Sequence, residues 1–318
     1  MIETFSEYKL KRYSPLELEF LDATKKSLND NLPSVKKYLL SEWSKAIADA
    51  CEVQRDEKIP CAYVSVSLLN TSLIDDKPAL QIDFYDEQWI YGESFSRGRL
   101  NADFLFTHWK NFTAQALDEK FFVRRYISRT EIKSLFWGTL DKLTFLFACF
   151  VKYFAADLRN YRAFDELVKA EKFYVTCGTY LDWQNRVHAV LPEIDFVNPD
   201  DNEDTTFREA HGKIFRLKTF ADLNLRACRF EDCLFHLCTF ANLNLADAYF
   251  SRCRFVSANF VDLKLAGAEF SECTFKDCTF KNSTADSKAA DADEYFAPLK
   301  TNQCKFFNLQ IEGCDFDL

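Results

Sequence analysis

Thiols and imidazoles supply most protein nucleophiles, bases and soft-metal ligands, and this 318-residue chain has 12 Cys but only 4 His. Eight of the cysteines, Cys228, Cys233, Cys238, Cys253, Cys273, Cys278, Cys304 and Cys314, lie in the last third, most of them at multiples of five from one another. Cys233, Cys253 and Cys273 recur at every twentieth position, so a chain that coils with that period stacks them in one column, which invites a metal. No CxxC and no paired His accompany them, and zinc wants four converging ligands. The preferred reading is that each is a small hydrophobe in a core, with no metal and no cofactor. Elsewhere, His108 lies near Asp103, and Cys149 and Cys177 stand alone. A Cys/His pair can be nucleophile and base, but there is no local signature. Nor is there a Gly-rich phosphate loop, an HExxH or a GxSxG. No catalytic residue is assigned.

A second group suits recognition. Residues 281–303, KNSTADSKAADADEYFAPLKTNQ, carry Asp286, Asp291, Asp293 and Glu294 ahead of Tyr295 and Phe296. Carboxylates steer a partner and aromatics anchor it. Asp291, Asp293, Glu294, Tyr295 and Phe296 are therefore the candidate partner-binding residues, on a loop projecting from a scaffold. A plain solvated loop is the competing reading.

The scaffold is visible in a five-residue period. Positions 215, 220, 225 and onward to 280 are all Phe or Leu, 14 matches in a row. Neither a helix nor a simple strand has that period. Two residues before each centre the chain is apolar and mostly small from Leu223 on: Cys, Ala or Leu. One large and one small inward residue per block describe a coil that turns a corner at each block. Leu replaces Phe at 225, 245 and 265, so the pattern itself repeats with every fourth block, which gives four sides per turn. Asp222, Asn242, Asp262 and Asn282 share that four-block period and are suited to holding one corner by side-chain bonds to turn backbone. An acidic ladder for a partner is the alternative. The step from Phe280 to Phe306 is not a multiple of five, so something is inserted near 281–303.

On these residues the chain resembles the pentapeptide-repeat family over about 213–282, resuming as Cys304-Lys-Phe306, Leu309-Gln-Ile311 and Cys314-Asp-Phe316. The resemblance implies a right-handed quadrilateral β-helix. The departures are Cys where the family prefers Ala and Phe where it prefers Leu. Some members resemble B-form DNA in shape and charge and act on DNA gyrase or topoisomerase, which supplies one functional expectation. Against it, residues 215–318 carry 12 bases and 15 acids, and signs alternate from coil to coil at Asp232, Arg252 and Glu272. Four to five coils at ~4.8 Å also give only roughly 20–25 Å, although end-to-end pairing into a homodimer would double that.

The N-terminal region, 1–192, reads as a mostly helical α+β domain, and 193–212, with six acids in EIDFVNPDDNED, as an acidic linker to a solenoid at 213–318. Helical spacing occurs at 14–28, started by Ser14 and Pro15, and at 33–52. Alternation at 62–69 and 79–85 predicts antiparallel strands, with a third at 88–95. Helices are expected at about 100–118, 130–158 and 160–174. In the second, Ile132, Leu135, Phe136, Leu140, Leu143, Phe147, Phe150 and Phe154 form a stripe that predicts a buried core helix. Trp89, Tyr91 and Trp137 are aromatics that either bind a partner or fill the core. LTFLFACFV at 143–151 falls short of the ~20 residues that span a bilayer, the start MIETFSEYKLKRYSP does not read as a signal peptide, and the location expected is cytoplasmic. The net charge is −9 with no strongly basic segment, so direct nucleic-acid binding is not expected. The leading functional expectation is a non-enzymatic interaction or scaffold protein with a protein partner. A DNA mimic, or an enzyme with its site in 1–192, stands as an alternative.

Overall fold

Residues 4–73, 77–122, 126–200, 203–285 and 299–318 are described by the computed structural model of the chain. They divide into two compact units, Met1–His188 and Ala189–Leu318.

The first unit combines helices with one mixed sheet. The helices are α1 (Phe5–Tyr8), α2 (Ser14–Asp30), α3 (Leu32–Glu57), α4 (Trp109–Ala116), α5 (Arg129–Lys152) and α6 (Arg162–Glu166). The strands are β1 (Cys61–Leu68), β2 (Ala79–Tyr85), β3 (Ser96–Asn101), β4 (Lys169–Thr179) and β5 (Gln184–Val190), in the order β3-β2-β1-β4-β5. β1 and β2 are the two strands expected from alternation, paired antiparallel, with Val66 opposite Ile82. Other expectations are corrected. Residues 88–95 form a short 3₁₀ turn at Trp89–Tyr91, and the edge strand begins at Ser96. α2 begins at Ser14 with Pro15 in its first turn, as expected, but Ser14 does not cap it, because a π-turn at Lys9–Tyr13 already joins α1 to α2. The helix expected at 100–118 shortens to α4. The expected helix at 160–174 is instead α6 followed by β4, which pairs parallel with β1. Lys169-Ala-Glu-Lys reads as helix-forming by propensity, but Phe173, Val175 and Cys177 are fully buried on alternate positions, and pairing with a distant strand decides the outcome.

α5 opens with a capping box. The Glu131 amide donates to Ser128 Oγ at 3.1 Å and the Ser128 amide to Glu131 Oε2 at 2.8 Å, which satisfies two orphan donors. Its C-terminal half, Leu143 to Val151, is largely buried, while Trp137 is exposed. By length and composition it is the one helix among the described residues apolar enough to cross a membrane, and 56% of its apolar window is buried in the protein.

The second unit is a quadrilateral β-helix. Each block of five has a small inward residue, an outward residue, the large inward centre, a second outward residue and a corner. Three faces are five-stranded parallel sheets. Their centres are Ala210, Phe230, Phe250, Phe270 and Thr301 on the first face, and Phe215, Phe235, Phe255, Phe275 and Phe306 on the second. On the third they are Phe220, Phe240, Phe260, Phe280 and Ile311. The fourth, centred on Leu225, Leu245 and Leu265, is held by isolated bridges, Asn224 to Asn244 to Lys264 to Thr284. There the chain makes a tighter turn, with the Ala248 and Ala268 amides donating to Leu245 and Leu265 oxygens at 3.0 Å. That geometry marks the side that carries Leu where the others carry Phe.

The acidic segment expected as a linker belongs to this unit. Glu209–His211 is already a strand, and Phe196 is buried with its ring 5.1 Å from that of Phe230. Arg208 occupies the small inward slot of the first block, 5% exposed, and donates to the Asp204 and Pro192 carbonyls at 2.8 Å. A solenoid's first coil has no neighbour on one side and needs a cap. Phe196 and Arg208 contribute to one.

Candidate functional site

The core of the rod is three stacks of phenyl rings. On the second face, centroids are 5.1 Å (Phe215–Phe235), 5.0 Å (Phe235–Phe255), 4.7 Å (Phe255–Phe275) and 5.3 Å (Phe275–Phe306) apart, with planes within 15°. The third and first faces stack likewise, at 4.9 Å for Phe220–Phe240 and for Phe230–Phe250. Neighbouring stacks meet edge to face, as at Phe235–Phe240, 5.3 Å and 63°. Both arrangements suit the ring quadrupole. The rise per coil, set by strand spacing of ~4.8 Å, is also a good ring-stacking distance.

The inward cysteines have a use that sequence spacing did not disclose. Seven of the eight thiols, all but Cys314, donate to the backbone carbonyl of a centre in the coil before, as Cys228 does to Thr205 O at 3.1 Å, Cys253 to Phe230 O at 3.2 Å, Cys273 to Phe250 O at 3.4 Å and Cys304 to Phe270 O at 3.2 Å. Ala fills the slot but cannot donate. Cys233, Cys253, Cys273 and Cys304 do share one inner corner, and all 12 thiols are free. Burial pushes the Cys228 thiol up to about 12, so it stays protonated at neutral pH. The Cys253 thiol is held up by its neighbours Cys233 and Cys273 and by burial.

Outside, the corners are uniform. Every described corner from Phe207 to Gly313 has positive φ, and only three are Gly. The expected Asp222, Asn242, Asp262 and Asn282 column is one of these corners, and Asn242 Nδ2 donates to Asp222 Oδ1 at 2.6 Å. Asp and Asn adopt this backbone most readily after Gly. The next corner column carries alternating charge: Arg252 grips Asp232 with two bonds of 2.9 Å, which holds the Asp232 carboxyl below the usual range.

The insertion is read from the strand register. Phe230 pairs with Phe250 and Phe250 with Phe270, a regular four-block step, whereas Phe270 pairs with Thr301, eleven positions beyond that step. Lys281–Ala285 and Leu299–Gln303, expected as part of the break, keep the coil register instead. The Ala285 amide donates to Asp315 Oδ1 at 2.6 Å, fixing one stem to the last coil. The candidate residues Asp291, Asp293, Glu294, Tyr295 and Phe296 lie outside the described residues.

In the first unit, His108 and Asp103 line separate clefts, and Cys149 lies near Cys177. Cys177 is fully buried, and burial raises its thiol, the opposite of what a nucleophile needs. His108 stands at the start of α4, on a cleft of about 160 Å³ lined also by Glu19, Asn111 and Gln115. A larger cavity of about 600 Å³ is lined by Ser72, Lys77, Arg99, Asn101 and Asp103. There Ser72 Oγ donates to Leu69 O and accepts from the Ala79 amide, so its hydroxyl is used in the turn. One of about 580 Å³ is lined by Tyr85, Glu93, Arg97 and Tyr180. Arg97 Nε beside it reaches Asp83 Oδ1 at 2.7 Å, and Gln81 closes the other oxygen at 2.8 Å. Trp89 stacks on Tyr63 at 4.9 Å and donates to Ser65 Oγ, whereas Tyr91 is 91% exposed.

Fold and surface together define a β-helical repeat rod with a filled interior, joined to an α+β unit. The family model that matches is that of the SV2A/B/C luminal domain, over residues 208–280. No curated protein matches the chain. Among solved structures it is similar to Rfr23, a pentapeptide-repeat protein from the cyanobacterium Cyanothece 51142, at 9% identity and a TM-score of 0.27. That match covers 33% of this chain and 64% of the other, just under two thirds of its length. It is also similar to QnrB1, a plasmid-mediated fluoroquinolone resistance protein, at 13% identity and a TM-score of 0.15, covering 35% and 72%.

Proposed function

We propose that the chain is a non-enzymatic interaction protein that uses the outer faces of its solenoid to hold a protein partner. The observation that carries this reading is the filled interior. The centres from Phe220 to Phe280 are all at or below 1% exposure, so the rod has no room for a substrate. What it offers is outward side chains at a fixed spacing on a rigid frame, and such surfaces are how solenoids bind. An enzyme in the first unit would need a nucleophile or acid–base pair facing a cavity. Among the described residues its cavities offer Ser72, already bonded in a turn, Arg97, closed on Asp83, and His108 with Glu19 on a cleft of about 160 Å³ whose lining holds no Ser or Cys nucleophile.

A DNA mimic acting on gyrase or topoisomerase would draw on the charge of −9. That reading wants an unbalanced acidic row, and Asp232 and Asp247 are instead paired with Arg252 and Arg226. Affinity capture with the full chain as bait tests the proposal. A stoichiometric protein partner, retained without turnover of any substrate, is the expected result. A chain that retains no protein yet alters DNA supercoiling by purified gyrase would replace it with the mimic.

A further inference from the structure

The second face differs from the other three in its charge. Its outward strand positions include Arg216, Arg254, Lys276 and Lys305, all exposed, and no acid. Among the described residues none of these four forms an ion pair. On the first face, Arg229 meets Glu231 at 3.5 Å and His211 lies 3.5 Å from Glu209 and Glu231. On the third, Lys281 meets Glu312 at 3.1 Å. The fourth has Arg226 on Asp247 at 3.4 Å and, among the described residues, one base without an ion pair, Lys264. The one acid of the adjoining corner column, Asp277, accepts from Asn308 Nδ2 at 2.9 Å, so in a chain of net charge −9 four cations without an ion pair on one flat sheet form a local field of the opposite sign to the molecule.

The same face carries exposed apolar groups, with Phe307, 53% exposed, on its last coil and a cluster on its first two coils. Ile214 is 63% exposed, and Leu217 and Leu237, at the adjoining corner, are 76% and 46% exposed. Both leucines have positive φ, 53° and 54°. Corners of this rod take Asp, Asn or Gly at little cost, whereas a Leu there is strained as well as exposed. Strain and apolar exposure at one spot are the marks of a contact surface.

We propose that this second face is the docking face, and that its occupant is an acidic protein segment with an aliphatic or aromatic anchor at one end. The inference rests on the interaction reading above and names the partner's chemistry. Carboxylates would lie over Arg254, Lys276 and Lys305, and the anchor over Ile214, Leu217 and Leu237. A nucleic acid satisfies the cations but leaves the leucines without a partner, so the observations favour protein. Five strands ~4.8 Å apart span about 19 Å, which matches a helix of about 13 residues.

The test uses the full chain and a fluorescent 13-residue helix-forming peptide with four Glu toward one end and Leu and Phe toward the other. Anisotropy should show binding that weakens with added salt. It should weaken at least about tenfold in Arg254→Glu/Lys276→Glu, while Lys281→Glu on the third face leaves it unchanged. Leu237→Asp should also weaken it, with circular dichroism unaltered. The proposal is overturned if wild type does not bind the peptide, if the double reversal binds as well as wild type, or if a Lys-for-Glu peptide binds equally. It is also overturned if a DNA duplex binds more tightly with the same dependence on Arg254 and Lys276. Where affinity capture recovers a partner and the double reversal keeps it, this face is excluded and the interaction reading stands. Where capture recovers nothing, that reading fails, and the peptide result still decides the face.

Discussion

At the scale of single residues, the corner is where this sequence is under most constraint. Each block ends in a left-handed residue whose amide donates to the next coil, as Leu237 does to Val256 O at 2.9 Å. An L-residue with a larger side chain pays roughly 1–2 kcal/mol for that backbone. Leu237→Asn should therefore raise stability by about 1 kcal/mol, read as a higher melting temperature of the rod, although it removes an apolar group from the proposed docking face. A lower melting temperature would show that Leu237 has a structural contact worth more than its strain. The thiols make a second residue-scale prediction. The Cys228 pKa is raised from the ordinary thiol value to about 12 by burial. A raised folded pKa means that its contribution is complete below the unfolded value and is lost as pH rises through the folded one. The rod should lose stability from about pH 9 toward 12, by up to about 1.4 kcal/mol per pH unit for each such thiol. Cys228→Ala should flatten the curve of melting temperature against pH. The identity of the small inward residue was legible in the sequence as a spacing. Its hydrogen bond was not, because the acceptor lies in the preceding coil, as Thr205 does for Cys228, and is set by the coil itself.

At the scale of elements, what was legible follows how local the signal is. The period of five is carried by each block alone, so the three Phe faces, the Leu face and the Asp/Asn corner follow from residues 215–282 without any long-range information. β1, β2 and α5 likewise carry their own periodicity. β4 does not: its first residues favour helix, and only its parallel pairing with β1 makes it a strand. The segment 193–212 reads as a linker for a related reason. Acid-rich composition resembles a linker, and the burial of Arg208 under carbonyl oxygens appears only once the first coil exists. The phenyl stacks give the sharpest test at this scale. Phe255 is fully buried and lies 5.0 and 4.7 Å from Phe235 and Phe275, with Phe240, Phe250, Phe260 and Phe270 at its edges. Phe255→Ala should cost about 3–5 kcal/mol. Phe255→Leu should cost less, since Leu centres already serve on the fourth face. A denaturant midpoint unchanged by the Ala variant would contradict the stacked core.

At the scale of the whole molecule, the two units are built on different principles, and this has a thermodynamic consequence. The first has a mixed sheet and helices whose core, including Trp43, Leu143, Phe147 and Phe173, is assembled from segments far apart in sequence. The second has a linear core in which each coil touches only the coils beside it, from Phe196 at one end to Phe316 at the other. Among the described residues, that cluster is drawn from the second unit alone. Separate cores unfold as separate cooperative steps unless something else couples them. Calorimetry of the full chain should therefore show two transitions. Phe255→Ala should lower one of them and leave the other in place, and Leu143→Ala, a cavity beneath α5, should do the reverse. Stability in stacked repeats is approximately a sum of unit and nearest-neighbour terms, so the solenoid transition should also broaden in Phe255→Ala, as the central coil becomes a weak joint between the outer ones. Both variants moving a single transition by similar amounts would mean that the units unfold as one body, and the division at His188 and Ala189 would then be geometric without being energetic.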